Sequence, residues 1–339
     1  MKMEITSSIQ DVNEKEWNAL AKTDFPGKNY GWLKTVEESG MRDMSYVVVK
    51  ESQKLVAAAV CYIYPLNIYG IRMDIIKGGC PLGSARTFFC ETAEHANVLL
   101  EGLTRIKNQN HAQMILVTDF RKNGFNKFKD YFPGYIPFLQ FKPLYIDLKF
   151  DTFEDYLQSL KSSDRRSIRK TLHRAEKRWH LKEVVTSEFS TWKDVVYNLQ
   201  RVTCKEHNDF RGLLNTEFYN ALEKNFKDHA ELRLFFKDDI PLAFGLALNS
   251  STISLHDHAG INPKYRKYQA YFLLYYYGIK RAIERGQNRI YFGGTTRSFK
   301  KKIGCTAEPL LGFASTGNSL LNAALYPMLK VQSWRMGRR

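Results

Sequence analysis

The stretch "YFGGTTRSFKKKIGCTAEPLLGF", residues 291–313, decides how this chain is read. It opens as the end of a buried strand, turns on Gly293 and Gly294, and passes Thr295 and Thr296. It then sets Lys300, Lys301 and Lys302 side by side before a second apolar run. A loop between strands needs polarity, but it does not need three adjacent ammonium groups. The glycines permit a sharp turn beside a ligand, the threonines can donate hydrogen bonds, and the ammonium groups suit an anion or a developing oxyanion. The competing reading is a solvated basic loop with no ligand.

Working back from this stretch, "KYQAYFLLYYYGIKRAIERG" predicts a long helix with Gly286 as its C-terminal stop. Before it, "AELRLFFKDD", "IPLAFGLALNS" and "STISLHDHAG" read as a strand meander. Earlier still come the helices "TFEDYLQSL", "SDRRSIRKTLHRAEKRW", "EFSTWKDVVYNLQRVTCKEH" and "TEFYNALEKNFK", with the strand "LKEVVT" among them. The first half shows the same order. "EKEWNALA" and "GWLKTVEES" are short helices, and "SYVVVKE", "KLVAAAVCYIYPL" and "IRMDIIKGG" are strands. Ala96, Leu99, Leu100, Leu103 and Ile106 recur at helical spacing. The strands "QMILVTDF" and "LYIDLKF" follow, separated by the aromatic loop "NGFNKFKDYFPGYIPFLQF".

Helices, a three-strand meander, a long helix, a strand, a loop and a last strand thus occur twice. No clear identity links the halves. The expected class is α/β: two tandem units of mixed sheet flanked by helices, with a cleft between them. The boundary is expected near residue 150, giving units at 1–150 and 151–314. The tail 315–339 begins as an amphipathic helix, ends basic, and is expected to pack back on the first unit.

The totals agree with two folded units. The chain has 339 residues, 44% hydrophobic and 14% aromatic, enough to bury real cores. Lys and Arg total 51 against 35 Asp and Glu, a net charge of +16 that favours nucleic acid, phosphorylated metabolites or an anionic membrane face. Cysteines stand at 61, 80, 90, 204 and 305, with no C-x-x-C pair, as expected of free thiols in a reducing compartment. The N-terminus lacks the apolar core of a signal peptide, and no window reads as a membrane span. A cytoplasmic protein is expected, working at the inner face of the membrane if it touches a membrane at all.

The helix from Asp164 to Trp179 is the sharpest physical feature. Ile168, Leu172, Ala175 and Trp179 form a buried stripe. Arg166, Lys170, Arg174 and Arg178 recur every four residues beside it, widened by Arg165, Arg169 and Lys177. Like charges at this spacing repel, by about 0.2–0.5 kcal/mol per pair. A phosphate-bearing partner would offset that cost by counterion release; a solvated face is the alternative.

"HDH" at 256–258 is expected to place His256 and His258 on one face of a strand and Asp257 on the other. The imidazoles read as cleft-lining groups able to take a proton from an amine, or as ordinary strand residues. No third ligand close in sequence makes them a metal site. Tyr265, Arg266 and Lys267 are expected to open the long helix, where amides and cations suit an anion. Cys305 has no histidine nearby in sequence to activate it. No P-loop, dinucleotide fingerprint or G-x-S-x-G elbow occurs.

Three stretches, "GGCPLG" at 78–83, "SSDRRSIRKTLHRAEKRWHLKEV" and "IYFGGTTRSFKKKIGCTAEPLLGF", together with the element order, resemble the FemAB-like acyltransferases of tandem GNAT fold. That group includes the aminoacyltransferases of peptidoglycan cross-bridges. The resemblance implies an amide-forming transfer of an activated acyl or aminoacyl group to an amine of a cell-envelope precursor. It places Lys300 near the acyl ester, with Lys302 next. It brings Trp32 and Lys34 of "YGWLKTV" toward an anionic acceptor, although a buried helix ring is the commoner fate of such a tryptophan, and it gives Arg211 of "EHNDFRGLL" a phosphate. No cofactor and no metal are implied.

Acetyl-CoA-dependent GNAT enzymes carry a glycine turn before the long helix, but "GINPKYRKYQAYFLL" has no glycine between Gly260 and Gly278. This favours an aminoacyl-tRNA donor over an acyl thioester. The rivals are a coenzyme A or acyl-carrier donor, and a non-catalytic module that binds RNA or an anionic membrane surface.

Overall fold

The structure, a computed structural model, describes residues 1–22, 24–68 and 71–338. The chain begins with β1 (Lys2–Thr6), α1 (Glu14–Ala21), α2 (Tyr30–Glu38), β2 (Met44–Glu51), β3 (Lys54–Ile68) and β4 (Ile71–Gly78). It continues through β5 (Phe88–Phe89), α3 (Ala93–Gln109), β6 (Met114–Phe120), α4 (Lys122–Phe128) and β7 (Ile136–Phe141). Then come β8 (Leu144–Asp147), α5 (Phe153–Ser159), α6 (Ser162–His173), β9 (Lys182–Thr186), α7 (Phe189–His207) and α8 (Thr216–Phe226). β10 (Ala230–Lys237), β11 (Ile240–Asn249), β12 (Ile253–Ile261), α9 (Ala270–Glu284), β13 (Arg289–Phe292), α10 (Arg297–Lys302) and β14 (Thr306–Ala307) follow. The chain closes with β15 (Leu310–Ser315) and α11 (Ser319–Arg338).

These elements form two compact units, one of Met1–Thr23, Gly27–Lys142 and Glu308–Arg339, the other of Asp24–Pro26 and Pro143–Ala307. The first sheet runs β1-β2-β3-β4-β6-β15-β7, with β5 on β3; the second runs β14-β8-β13-β12-β11-β10-β9. In each, an antiparallel meander meets a parallel neighbour, β4 with β6 and β12 with β13. The segment from Ala57 to Tyr62 is buried throughout, as its continuous apolar run requires of a central strand. α3 starts on Thr92, whose hydroxyl accepts from the His95 amide, and buries the predicted stripe Ala96, Leu99, Leu100, Leu103 and Ile106. α9 ends as the sequence implies: Gly286 takes φ +66°, its amide bonds to the Ile283 carbonyl, and the Gln287 amide bonds to the Ala282 carbonyl.

Four expectations change. β8 joins the second sheet and β15 the first, so the two halves exchange a strand and the boundary near 150 moves. An apolar run states that it is buried, not which sheet buries it. The presumed loop at 123–141 contains α4 and the edge strand β7, because Phe125, Phe128 and Phe132 pack on Phe313 and Phe120. Residues 263–268 form a 3-10 turn, not the start of the long helix, and α9 begins only after Gln269 takes φ 56°. The lysine cluster lies on the short helix α10 rather than on an open loop.

Candidate active site

In the second unit, β12 and β13 pair in parallel only from Ile253 to His256 against Arg289 to Phe292. Beyond this point β13 ends at the Gly293–Gly294 turn while β12 runs on to Ile261. The pairing stops there, at a place called the notch. Asp257 is the first β12 residue past the pairing, and a Cβ on Gly293 would lie 3.5 Å from its Oδ1. Lys300 reaches into the same place from α10: its Nζ donates to the Gly293 carbonyl at 2.6 Å and lies 5.6 Å from the Tyr275 ring centre. Tyr271 ties the turn to α9, with its hydroxyl 3.2 Å from Thr296 Oγ1 and 2.6 Å from the Tyr275 hydroxyl.

Lys300 is only 1% exposed. Burial lowers its ammonium to about 8, against the upward pull of Cys305 and Asp257; Arg297 adds to the lowering. The buried Cys305 thiol is pushed up to about 12, so it is no thiolate nucleophile at neutral pH.

A groove of about 190 Å³ lies between α6 and α10. Asp164, Ser167 and Thr171 line it from α6, and Lys302 and Phe299 from α10. The Thr171 hydroxyl donates to Gln269 Oε1 at 2.9 Å. The predicted buried stripe of this helix holds: Ile168 and Ala175 are core residues, with Leu172 and Trp179 packed against them. The helix passes into a π turn at Arg174–Arg178.

If the α6 cations and Lys300 served one ligand they would share a groove, and they do not share this one. No α6 arginine lines it: Arg166 and Lys170 fall on the outer side of the helix, opposite Ile168, and Arg169 lines a separate pocket with Tyr276 and Tyr277. Arg169 pairs with Glu154, and Arg165 donates to the Gln158 and Leu160 carbonyls. Arg166 and Lys170 are exposed.

The two histidines part company. The register between β11 and β12 shifts between Leu246 and Leu248, which breaks the alternation after His256. His256 faces α9, where a Cβ on Gly278 would touch its ring at 3.0 Å. His258 falls two residues before Gly260, which packs on α7 at Leu199 and Gln200. The expectation of two imidazoles on one face is therefore corrected. Ser254 Oγ lies 2.9 Å from His256 Nε2, and burial, with Arg233 and Arg285 nearby, pushes the ring down to about 3. A ring held neutral in this way is a packing group and a poor proton shuttle.

Other expected residues lie as follows. Trp32 is sealed in the core and donates from Nε1 to the Pro81 carbonyl at 3.2 Å, so no ring face is left for a ligand. Lys34 is half-buried, 3.9 Å from Glu38. Arg211 folds back on Asp209 through Nε and Nη2 at 2.9 and 2.7 Å. Arg266 pairs with Glu206, and Tyr265 stacks near Tyr268 at 6.3 Å. Gly293 and Gly294 are half-buried, while Thr295 and Thr296 are exposed.

The first unit has a notch that sequence reasoning missed. β4 and β6 pair in parallel from Ile75 to Gly78 against Met114 to Val117. Just past the pairing, Asp119 is fully buried with φ +70°, an uncommon conformation for a residue with a side chain. Its Oδ1 accepts from Gln140 Nε2 at 3.1 Å, its Oδ2 from the Thr118 hydroxyl at 2.9 Å, and its own amide donates to Gln140 Oε1 at 3.0 Å. A Cβ on Gly79 would come within 2.7 Å of Oδ2, so only glycine fits beside it. Burial raises the Asp119 carboxyl, countered by Lys77 and these hydrogen bonds. Lys77 lies 5.8 and 5.4 Å from the Tyr62 and Tyr64 ring centres; burial pulls it down, but Tyr62 and Asp119 hold it above the usual range. The available signal was a lone acid ending the apolar strand "QMILVTDF".

Two parallel-pair notches on a repeated meander are the geometry of a tandem acyltransferase fold, and the comparisons agree. The FemAB-like family, described as peptidoglycan biosynthesis/recognition, matches residues 80–336, and this chain belongs to it. No curated protein sequence matches the chain. Among solved structures, FemX is similar at a TM-score of 0.62 and 15% identity, over 97% of this chain and 99% of its own. The C-terminal domain of a putative lysylphosphatidylglycerol synthetase from Agrobacterium fabrum is similar at 0.59 and 13%, over 94% and 96%. A tandem GNAT protein from the clavulanic acid biosynthesis pathway is similar at 0.57 and 10%, over 94% and 100%. The tandem GNAT fold follows from these, and with the family it defines an amide-forming acyl- or aminoacyltransferase for cell-envelope precursors.

Proposed function

We propose that the transfer takes place at the β12–β13 notch, with an aminoacyl ester as donor. The acyl carbonyl enters beside the Gly293–Thr296 turn and accepts an N–H of Lys300, an ammonium with three donors of which one goes to Gly293. The acceptor amine attacks the carbonyl carbon, the new C–N bond forms, and the ester C–O bond breaks. The proton lost by nitrogen ends on the leaving oxygen, with the Asp257 carboxylate at the notch as its relay. Negative charge grows on the carbonyl oxygen during attack, and a buried cation stabilises it more strongly than a solvated one. The observation that carries this reading is the Lys300 ammonium, shut from water where the parallel pair ends.

The donor reading is supported by the turn before α9. Three of its amides are already used: Lys264 donates to Asn262 Oδ1, Tyr265 to the Asn262 carbonyl and Gln269 to the Arg266 carbonyl. A coenzyme A pyrophosphate would have to displace them. An aminoacyl-tRNA needs no such cradle and suits the outer face of α6, with Arg166 and Lys170 open to solvent. Such a donor places the enzyme in the cytoplasm, and the acceptor is read as a phosphorylated envelope precursor. Among the described residues no helix is long and apolar enough to cross a membrane.

The test is transfer of labelled amino acid from aminoacyl-tRNA, in parallel with labelled acyl-coenzyme A, followed by mass spectrometry of the product. Product from the thioester alone would overturn the donor assignment.

A further inference from the structure

The C-terminal helix α11 is apolar on the side that faces away from its own unit. Its inner side is Asn322, Leu325, Leu329, Ser333 and Met336, at spacings of three and four; Leu325 and Leu329 pack with Ile75, Met114, Ile136 and Phe138. A surface helix should be polar on its other side. Here that side carries Leu320, Leu321, Met328, Val331 and Trp334, all exposed; Leu320 is 80% and Trp334 57% open to solvent. The expected amphipathic helix is thus apolar nearly all round, a pattern that calls for cover on both faces.

The charges identify the cover. Residues 319–339 contain no aspartate or glutamate but include Lys330, Arg335, Arg338 and Arg339, the last outside the described residues. Lys330 and Arg335 are exposed beside the apolar strip, and Lys330 Nζ lies 5.1 Å from the Tyr326 ring centre. A soluble protein partner would need matching acids around an apolar groove. An anionic bilayer supplies a continuous apolar phase under a layer of negative headgroups, and tryptophan favours that boundary.

We propose that the outer face of α11 docks the protein on an anionic membrane surface, lying in the headgroup region without spanning it. The inference is independent of the catalytic reading, since it uses no residue of either notch. It would hold the enzyme where lipid-borne, negatively charged envelope intermediates are presented.

The experiment is co-sedimentation of the full chain with phosphatidylglycerol–phosphatidylcholine vesicles and with pure phosphatidylcholine vesicles. Binding is expected to the first and to be weakened by salt. Val331→Ser with Trp334→Ser should lower it roughly tenfold or more, since each side chain withdraws its burial from the lipid. Lys330→Glu with Arg335→Glu should lower it while leaving the thermal midpoint unchanged, which shows that the variant folds. Equal binding by wild type and both variants overturns the proposal. So does absence of binding to either vesicle. So does a dimer in light scattering that Val331→Ser with Trp334→Ser dissolves, because the strip would then be covered by a second copy.

Discussion

The two notches use the same pair of groups, an acid and a lysine, but only the second leaves its acid in solvent. In the first unit the acid is sealed: Asp119 is fully buried, and its lysine, Lys77, is held above its ordinary range. In the second the lysine is sealed: Lys300 is buried and lowered to about 8, and its acid, Asp257, is exposed. A buried carboxylate with each oxygen accepting a hydrogen bond, from Thr118 and from Gln140, is built to stay put. A buried ammonium whose charge is disfavoured keeps an unspent electrostatic capacity, which a developing oxyanion can use. The end of the parallel pair thus carries a hydrogen-bonded lock in one unit and, in the function proposed, the reacting position in the other.

The largest test of that contrast is Lys300→Met. Transfer should fall about 10²–10³-fold, the effect of losing one donor to an oxyanion. Lys300→Arg should rescue only part of it, since the planar fork cannot repeat the Nζ position under Tyr275. Initial rates on a purified acceptor measure both; unchanged turnover in Lys300→Met would assign the chemistry elsewhere.

Proton linkage gives the next largest effect. Lys300 has its ordinary value of 10.5 when the chain is unfolded and about 8 when folded. Between those values the unfolded chain binds more protons, so this group makes stability rise with pH from about 8 toward 10.5. The span amounts to roughly 3 kcal/mol, fully penalising the fold below about pH 8. Urea titrations of wild type and Lys300→Met across this range isolate it as a difference. Catalysis should respond in the opposite sense. If the ammonium is the active form, rates fall as pH rises through about 8; a rate that rises there would make Lys300 a general base.

At the first notch the effect should appear in stability. Asp119→Ala removes the acceptor of two hydrogen bonds and leaves a residue poorly suited to φ +70°. The expected cost is about 2–4 kcal/mol by chemical denaturation. Asp119→Asn keeps the shape and tolerates that backbone, so it should cost about 1 kcal/mol or less. Equal losses in both variants would show that the charge, and not the hydrogen-bond lock, is what the site needs.

Much of this architecture could be read in the residues, for identifiable reasons. The buried stripe of α6, the stop at Gly286 and the doubled element order follow from local periodicity and capping. The strand exchange of β8 and β15 did not show, because an apolar strand carries no record of its neighbours. Trp32 carries two readings, a buried helix ring as the commoner one and a ligand-facing ring as the other, because a ring at a helix start looks the same in sequence whether it meets Pro81 or a substrate; the structure gives the buried one. His256 and His258 were placed together because period-two counting assumes an unbroken ladder, and the shift opposite Leu246 is a tertiary event. The cluster marks all three lysines alike and only the resemblance singles out Lys300; its burial is not legible in sequence, since Lys301 and Lys302 beside it are exposed.

The smallest expected effect concerns Asp257. Its charge raises Lys300 against the lowering caused by burial, and it lies beside Gly293, where the pairing of the two strands stops. Asp257→Asn keeps size and removes that support. The ammonium should then lose its proton at lower pH, and the falling limb of the rate profile should move down with it. Near pH 6 Lys300 stays charged in both proteins, so rates there should differ only by the loss of the relay, below the roughly 10²-fold lower end for a positioned base because water reaches the exposed Asp257 position and can take the proton instead. A pH–rate series on the two proteins separates these terms. If the limb stays in place while the rate at low pH drops, Asp257 acts on the acceptor's proton alone and Lys300 is set by burial. If the limb moves and the low-pH rate holds, Asp257 tunes the lysine, and the two residues work as one pair, as Asp119 and Lys77 do in the other unit.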